Sequence, residues 1–98
     1  MSSLPRFEYR VIAYDIPDDK RRTKLLQMLK GFGLHVQFSV FEVKLEPMQL
    51  LRLKNEIEKI MDPDEDCVVL YPLNEQLVEK VERLGVVKHQ TFDDFLVI

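Results

Sequence analysis

Residues 34–45 read "LHVQFSVFEVKL", and this stretch decides how many strands the chain contains. It alternates apolar and polar side chains as a strand does, but the apolar side chains lie on one face up to Val40 and on the other from Phe41. Because a strand repeats every two residues, the slip predicts an extra residue or a sharp bend at Ser39–Phe41. Such a bend re-aims side chains beside many functional sites, and it also occurs for purely structural reasons.

The segment upstream of this bend predicts a strand, a tight turn and a helix. Residues 7–16, "FEYRVIAYDI", contain an unbroken apolar run that suits a central strand covered on both faces. Pro17 ends that strand, and Asp18 is a suitable N-cap for the helix that follows. Apolar residues at helical spacing continue until Gly33, which predicts a left-handed C-terminal position there.

The segment downstream predicts a second helix, a strand, a third helix and a final strand. Pro47 suits the first turn of a helix, and apolar residues then follow with one stripe facing a core. Residues 67–73, "CVVLYPL", predict a strand, and residues 74–85, "NEQLVEKVERLG", predict a short helix. Residues 93–98, "DDFLVI", predict a last strand.

This order of elements indicates one fold class. If the bend divides residues 34–45 into two strands, the order is strand, helix, two strands, helix, strand, which predicts an α+β ferredoxin-like sandwich with helices on one face of an antiparallel sheet. We expect residues 1–98 to form a single such domain. The other sheet face needs a cover, and a second copy of the chain is the simplest one. Residues 85–98 are then a C-terminal extension whose strand pairs across the two-fold axis.

Composition excludes several classes of protein. Hydrophobic residues make up 46% of the chain and charged residues 32%, as in an ordinary globular domain. No stretch approaches the roughly 18 apolar residues of a membrane span, and residues 1–10 lack the apolar core of a signal peptide. We therefore expect a cytoplasmic protein with no membrane partner.

The sequence offers little to zinc or calcium. The single cysteine, Cys67, lies in an apolar run, so we expect it to be buried, and it cannot form an internal disulfide. The only two histidines, His35 and His89, are far apart in sequence. Residues 62–66, "DPDED", have the spacing of a calcium loop, but Cys67 occupies the place of its required glycine. Zinc and calcium sites are therefore disfavoured.

Charge is unevenly distributed, which favours a local anion site. Residues 1–41 have a net charge of +3 and residues 42–98 a net charge of −6, within a total of −3. Basic side chains crowd the first turns of the predicted first helix, the end where the helix dipole favours negative charge. Free backbone N–H groups at that end, together with arginines, suit a phosphate. The alternative is a solvated basic face. The cations are Lys20, Arg21, Arg22 and Lys24.

Asp15 closes the first predicted strand, directly before these cations. A carboxylate at the end of a buried strand is unfavourable unless it meets a cation, a metal or several hydrogen-bond donors. The residues leave two interpretations open. Asp15 either forms an ion pair with Arg22 or accepts hydrogen bonds in the turn, or it is a metal-binding carboxylate beside the phosphate site.

Two motifs in this region match a known family. Residues 11–33, "VIAYDIPDDKRRTKLLQMLKGFG", are followed by residues 35–45, "HVQFSVFEVKL", and together they carry YDI-x-DD-x-x-R and VQ-x-SVFE. In both motifs, and in their separation, the chain closely resembles the small CRISPR-associated nucleases of the Cas2 family. The similarity covers residues 7–73 well and the C-terminal quarter loosely.

The resemblance implies a homodimer of ferredoxin-like subunits in which the aspartate of the first strand lies at the dimer axis. Asp15 matches that residue, so the two copies of Asp15 would be the catalytic carboxylates and would share one magnesium ion. Magnesium commonly accepts only one or two carboxylates plus waters, which explains why one chain offers so few ligands. The family's activity is metal-dependent hydrolysis of phosphodiester bonds, in single-stranded RNA for some members and in double-stranded DNA for others.

The resemblance also implies a role in CRISPR adaptive immunity, the antiviral defence of prokaryotes. The family acts with the CRISPR integrase in spacer acquisition, where its dimer bridges two integrase dimers and grips the DNA backbone. A non-catalytic DNA-bridging scaffold is therefore the alternative to a nuclease. A third interpretation, a regulatory ferredoxin-like module that binds a small ligand, lacks the glycine-rich loop that would support it.

Individual positions follow from the same resemblance. Arg22 and Lys24 match basic family positions, whereas His35 stands where some relatives have Arg and Phe38 where they have Tyr. These two departures weaken a catalytic role for His35 and Phe38. The predicted nucleic-acid contacts are Arg21, Arg22, Lys24 and His35. The residues predicted to shape the site are Tyr14, Ser39 and Phe41.

Overall fold

The structure is a computed structural model that describes residues 6–85. The predicted strand over residues 93–98 and the pairing of the C-terminal extension lie outside the described residues. None of the helices within residues 6–85 is both long and apolar enough to span a membrane. The elements, in chain order, are β1 (Glu8–Asp15), α1 (Asp19–Lys30), β2 (Leu34–Gln37), β3 (Val40–Leu45), α2 (Pro47–Ile60), β4 (Cys67–Leu73) and α3 (Glu75–Glu79).

The strands form one antiparallel sheet in the order β2-β3-β1-β4. The central strand β1 pairs with β3 and β4, so that Ile12 lies opposite Phe41 on one side and Leu70 on the other. Helices α1 and α2 cover one face of the sheet, since their buried residues belong to the same core as the inward side chains of β1 and β3. The βαββαβ order and the ferredoxin-like α+β sandwich are therefore confirmed.

The core lies between the sheet and these two helices. Alternation along β1 sends Ile12 and Tyr14 into it, and the helical spacing of Leu25 and Leu29 gives α1 one apolar stripe. The largest fully buried side chains are Phe41, Ile12, Leu25, Leu29, Leu53 and Val43.

Helix α1 begins as predicted and ends differently. The Asp18 side chain accepts a hydrogen bond of 2.9 Å from the backbone N–H of Arg21, as an N-cap does. The helix stops at Lys30 with Gly31 as its C-cap, and the predicted left-handed conformation at Gly33 is wrong. Gly33 is required for space instead, because a Cβ atom there would lie 2.5 Å from the carbonyl oxygen of Glu42.

The predicted bend is a hairpin turn, one residue earlier than expected. The chain reverses at Phe38–Ser39, where Gln37 pairs with Val40, and the register is irregular between His35 and Gln37. Because paired residues share a face while lying three positions apart, a two-residue turn reverses the phase of alternation by itself. The register irregularity within β2 reverses the phase a second time, so Leu34 shares the face opposite the helices with Glu42, and His35 shares the core face with Phe41.

Two further expectations fail near the C-terminal part of the described chain. Helix α3 is capped by Asn74, which accepts a 2.8 Å hydrogen bond from the N–H of Leu77, but it ends at Glu79 rather than at residue 85. Cys67 is exposed, because the first residue of β4 points away from the helices.

The sheet face opposite the helices is only partly covered. Glu42 on this face is buried and forms a two-bond ion pair with Arg83 of the segment after α3, at 2.6 and 2.9 Å. The Tyr71 side chain on β4 stays 54% exposed. A charged contact thus covers one part of the face, while the Tyr71 side chain beside it is exposed.

Candidate nucleic-acid and metal site

Asp15 lies at the end of β1 on the sheet face away from the helices. Its neighbour Tyr14 points into the core, so the alternation of the strand turns Asp15 to the opposite face, beside its cross-strand partner Cys67. The Asp15 side chain is exposed. A carboxylate in this position is open to a ligand on the face where a second copy of the chain could pack.

The alternative ion pair between Asp15 and Arg22 is wrong. Arg22 donates a hydrogen bond of 2.9 Å to the carbonyl oxygen of Ile16 and forms an ion pair with Asp19. Arg22 therefore stabilises the turn between β1 and α1, directly after Asp15. Within residues 6–85, Asp15 has no ion-pair partner.

Tyr14, Ser39 and Phe41, the residues predicted to shape the site, lie close together where β1 ends beside the β2–β3 turn. The backbone N–H of Tyr14 donates to the carbonyl oxygen of Ser39 at 3.1 Å, and the rings of Tyr14 and Phe41 are 6.5 Å apart. Burial raises the pKa of the Tyr14 hydroxyl, opposed by the nearby charge of Arg22 and by a hydrogen bond with the Ser39 side chain. Tyr14 therefore remains a neutral hydroxyl at neutral pH and is a structural support rather than a base.

His35 supports the hairpin turn. Its ring stacks on Phe41 with centroids 4.7 Å apart and planes 11° apart. Its Nε2–H group donates a hydrogen bond to the carbonyl oxygen of Phe38 at the turn. His35 thus bridges the buried Phe41 and the exposed turn, and its side chain is partly exposed.

Arg21 is bound by acidic side chains of the turn before β4. Its guanidinium bonds both carboxylate oxygens of Asp66, at 2.8 and 3.1 Å, and one oxygen of Glu65 at 2.9 Å. The Asp66 side chain is completely buried. The Arg21 hydrogen bonds hold the pKa of Asp66 below its ordinary value, and Asp66 in turn raises the pKa of Arg21. Arg21 therefore ties α1 to the turn before β4.

Lys24 lies on the outer face of α1, away from Arg21. With Lys20 one turn earlier, it lines a shallow depression whose other walls are Asp19, Thr23 and Gln27. Both lysines are exposed, and neither has an ion-pair partner in the described part of the chain. The four predicted cations thus have different roles. Arg21 and Arg22 form structural contacts, whereas Lys20 and Lys24 are exposed and free of ion pairs in residues 6–85. Lys20 was among the cations of the predicted phosphate site but not among the predicted nucleic-acid contacts, and its i, i+4 spacing to Lys24 places both on one helix face.

Residues 6–85 of one chain do not form a complete metal site by themselves. No group of three or more His, Cys, Asp or Glu side chains that could hold a metal ion occurs among residues 6–85. Asp15 is an exposed carboxylate that has no ion-pair partner within residues 6–85. Its donor chemistry fits magnesium, which accepts one or two carboxylates with waters, provided that a second carboxylate comes from another copy.

Comparison with known proteins gives a family and close relatives. Residues 8–81 match the family model described as CRISPR associated protein Cas2. The "CRISPR-associated endoribonuclease Cas2" of a Thermus thermophilus strain is 44% identical over 77 residues, which covers 79% of this chain and 82% of that protein.

Solved structures give the same relationship. The hypothetical protein TT1823 from Thermus thermophilus superposes with a TM-score of 0.75 at 39% identity, covering 86% of this chain and 98% of that one. A chain of a partial Cas6-RT-Cas1–Cas2 complex superposes with a TM-score of 0.69 at 28% identity, covering 85% and 92%.

Proposed function

The chain belongs to the CRISPR-associated protein Cas2 family, and from this we propose that it is a magnesium-dependent endonuclease that acts with the CRISPR integrase in spacer acquisition. Its substrate is the phosphodiester backbone of single-stranded RNA or double-stranded DNA. The exposed, unpaired Asp15 carboxylate at the end of a buried strand carries the nuclease part of the proposal. The name of the Thermus relative makes RNA the first substrate to test.

A homodimer would complete the site. Asp15 and the half-exposed Tyr71 lie on the same sheet face, opposite the helices. Partly exposed Val11 and Val69 on that face would be buried by a second copy, and burial of apolar surface favours association. Two-fold symmetry then allows the two copies of Asp15 to face each other.

The residues around Asp15 keep it in place for this role. Arg22 holds the turn that follows the strand, and the Tyr14–Ser39 backbone bond holds the end of β1 against the hairpin. Magnesium, when bound by the two copies of Asp15, would polarise a phosphoryl oxygen and activate water. Lys20 and Lys24 supply positive charge for the nucleic-acid backbone at a separate surface.

A specific observation supports the alternative function as a DNA-bridging scaffold. The two available lysines lie on the outer face of α1, not beside Asp15, so they suit a backbone contact that needs no cleavage. The structural neighbour in a Cas6-RT-Cas1–Cas2 complex supports the integrase as a partner in either case. Both functions require the same fold and dimer.

Cleavage assays distinguish these two functions. Purified protein is incubated with single-stranded RNA and with duplex DNA, in magnesium and in EDTA. We expect cleavage in the presence of magnesium and none in EDTA, because the proposed activity depends on a cation between two carboxylates. Binding to both substrates without cleavage of either would contradict the nuclease and favour the scaffold.

The dimer gives a separate prediction. We expect light scattering of the purified protein at micromolar concentration to give the mass of two chains without nucleic acid, because the open sheet face is apolar beside the Glu42–Arg83 pair. Tyr71→Glu is expected to shift the population towards monomer, since it places a charge in the apolar contact. A wild-type mass near 11.6 kDa would refute the prediction.

A further inference from the structure

Phe38 has two features that its fold does not explain. Of the large apolar side chains in residues 6–85, it is the most exposed, at 93%. Its backbone φ is +29°, a region that bulky residues rarely adopt and that glycine or asparagine would occupy with less strain. An aromatic ring therefore occupies a turn position that disfavours it, while making little contact with the core.

The turn that presents this ring is held on two sides. His35 bonds with the carbonyl oxygen of Phe38 and stacks on the buried Phe41. The carbonyl oxygen of Ser39 accepts the 3.1 Å hydrogen bond from the N–H of Tyr14. A ring on a fixed turn loses little conformational freedom when it binds a ligand.

The turn that carries the ring lies at the same end of the sheet as Asp15. The Tyr14–Ser39 hydrogen bond joins the residue after Phe38 to the residue before Asp15. A nucleic-acid strand whose backbone reaches Asp15 would therefore pass beside the hairpin turn.

We propose that Phe38 is a stacking platform for an unpaired base, so that the Asp15 site prefers single-stranded nucleic acid. This inference rests on the proposed function for the location of the backbone. An isolated ring suits a base face, whereas a protein partner needs a contiguous apolar patch, and the residues on either side of Phe38 are the polar Gln37 and Ser39. Bases inside a duplex are already stacked on each other and are not available to the ring.

The test measures binding in EDTA, where the result does not depend on cleavage. Single-stranded RNA carrying 2-aminopurine and the matched duplex are titrated with wild type, Phe38→Gly and Phe38→Tyr. Phe38→Gly removes the ring and suits the positive φ, so the turn and the thermal midpoint should be retained. Met48→Ala is the control, because Met48 is 73% exposed at the start of α2, the opposite end of the sheet.

We expect Phe38→Gly to weaken single-strand binding about ten-fold, with duplex binding changed by less than about two-fold. Phe38→Tyr and Met48→Ala should bind like wild type, and the 2-aminopurine fluorescence change should be lost only in Phe38→Gly. Equal affinity of Phe38→Gly and wild type, or an equal loss on both substrates, would overturn the stacking role. A shift of Phe38→Gly to monomer would also overturn it, by assigning the ring to the contact between copies. If wild type shows stacking but no cleavage in magnesium, the nuclease fails and the stacking platform stands.

Discussion

Replacing Asp15 with Asn is expected to abolish magnesium-dependent cleavage, by at least about 100-fold, while the fold and the dimer persist. The amide keeps the size of the carboxylate and removes its charge. Asp15 is exposed and has no ion-pair partner within residues 6–85, so the substitution leaves no buried cation unpaired. Two like carboxylates near a shared axis repel each other without a cation, and the amides remove that repulsion. The dimer should therefore be at least as stable as wild type when magnesium is absent.

Cleavage rate and thermal midpoint are measured on the same preparation of Asp15→Asn. Glu58→Gln is the matched control, because Glu58 is an exposed carboxylate on α2 with no ion pair among the described residues. We expect magnesium to raise the thermal midpoint of wild type and of Glu58→Gln but not of Asp15→Asn, since only Asp15→Asn lacks the carboxylate proposed to bind the ion. Wild-type cleavage by Asp15→Asn, still dependent on magnesium, would remove Asp15 from the catalytic assignment and favour the scaffold.

The fold could be predicted because its signals are local. Pro47 at the start of α2, Asp18 before α1 and the alternation of β1 each specify an element through their own neighbours in sequence. The phase slip before Phe41 correctly divided one segment into two strands. Its position could not be fixed from sequence, because a two-residue turn and a bulge both change the phase by one.

The site could be predicted only in part, because partners distant in sequence decide what a charge does. Asp15 was identified from its place after a buried strand, and the structure leaves it exposed. Arg21 looked equivalent to Lys24 at the start of one helix, but its partner Asp66 lies 45 residues away and becomes a neighbour only after folding. Phe38 was missed as a binding residue because alternation assigned it to an apolar strand face, whereas it lies in the turn.

Stability should depend on pH through Asp66. Its pKa is lowered in the folded protein, mainly by the Arg21 hydrogen bonds, so the pair stabilises the fold above the unfolded pKa of about 4 and this contribution is lost as the pH falls further. The thermal midpoint of wild type should therefore decrease as the pH is lowered from about 4. Arg21→Gln should show a weaker fall, because its Asp66 lacks the partner that lowers the pKa.

Arg21 and the two exposed lysines of α1, Lys20 and Lys24, should have different effects on stability and on nucleic-acid binding. Arg21→Gln is expected to lower the thermal midpoint at pH 7 by about 10 °C, because it leaves the buried Asp66 carboxylate without its cation. The double variant Lys20→Gln/Lys24→Gln should keep the wild-type midpoint, since both side chains are exposed without ion pairs in residues 6–85. It should instead weaken binding to RNA and DNA alike, and reduce the slope of log affinity against log salt by about two units, one for each lost phosphate contact.

Salt titrations by fluorescence anisotropy and thermal melts of the same samples decide between these roles. Lys54→Gln/Lys80→Gln is a matched control that removes two exposed positive charges without ion pairs in residues 6–85, so it corrects for the change in net charge. If Lys20 and Lys24 hold the backbone, their loss reduces the slope and the control does not, because counterion release reports contacts rather than total charge. The opposite result would be an unchanged slope in Lys20→Gln/Lys24→Gln and a reduced slope in Arg21→Gln, measured at a temperature where Arg21→Gln is folded. It would mean that Arg21 leaves Asp66 to bind phosphate. The assignment of phosphate binding to the outer face of α1 would then be wrong.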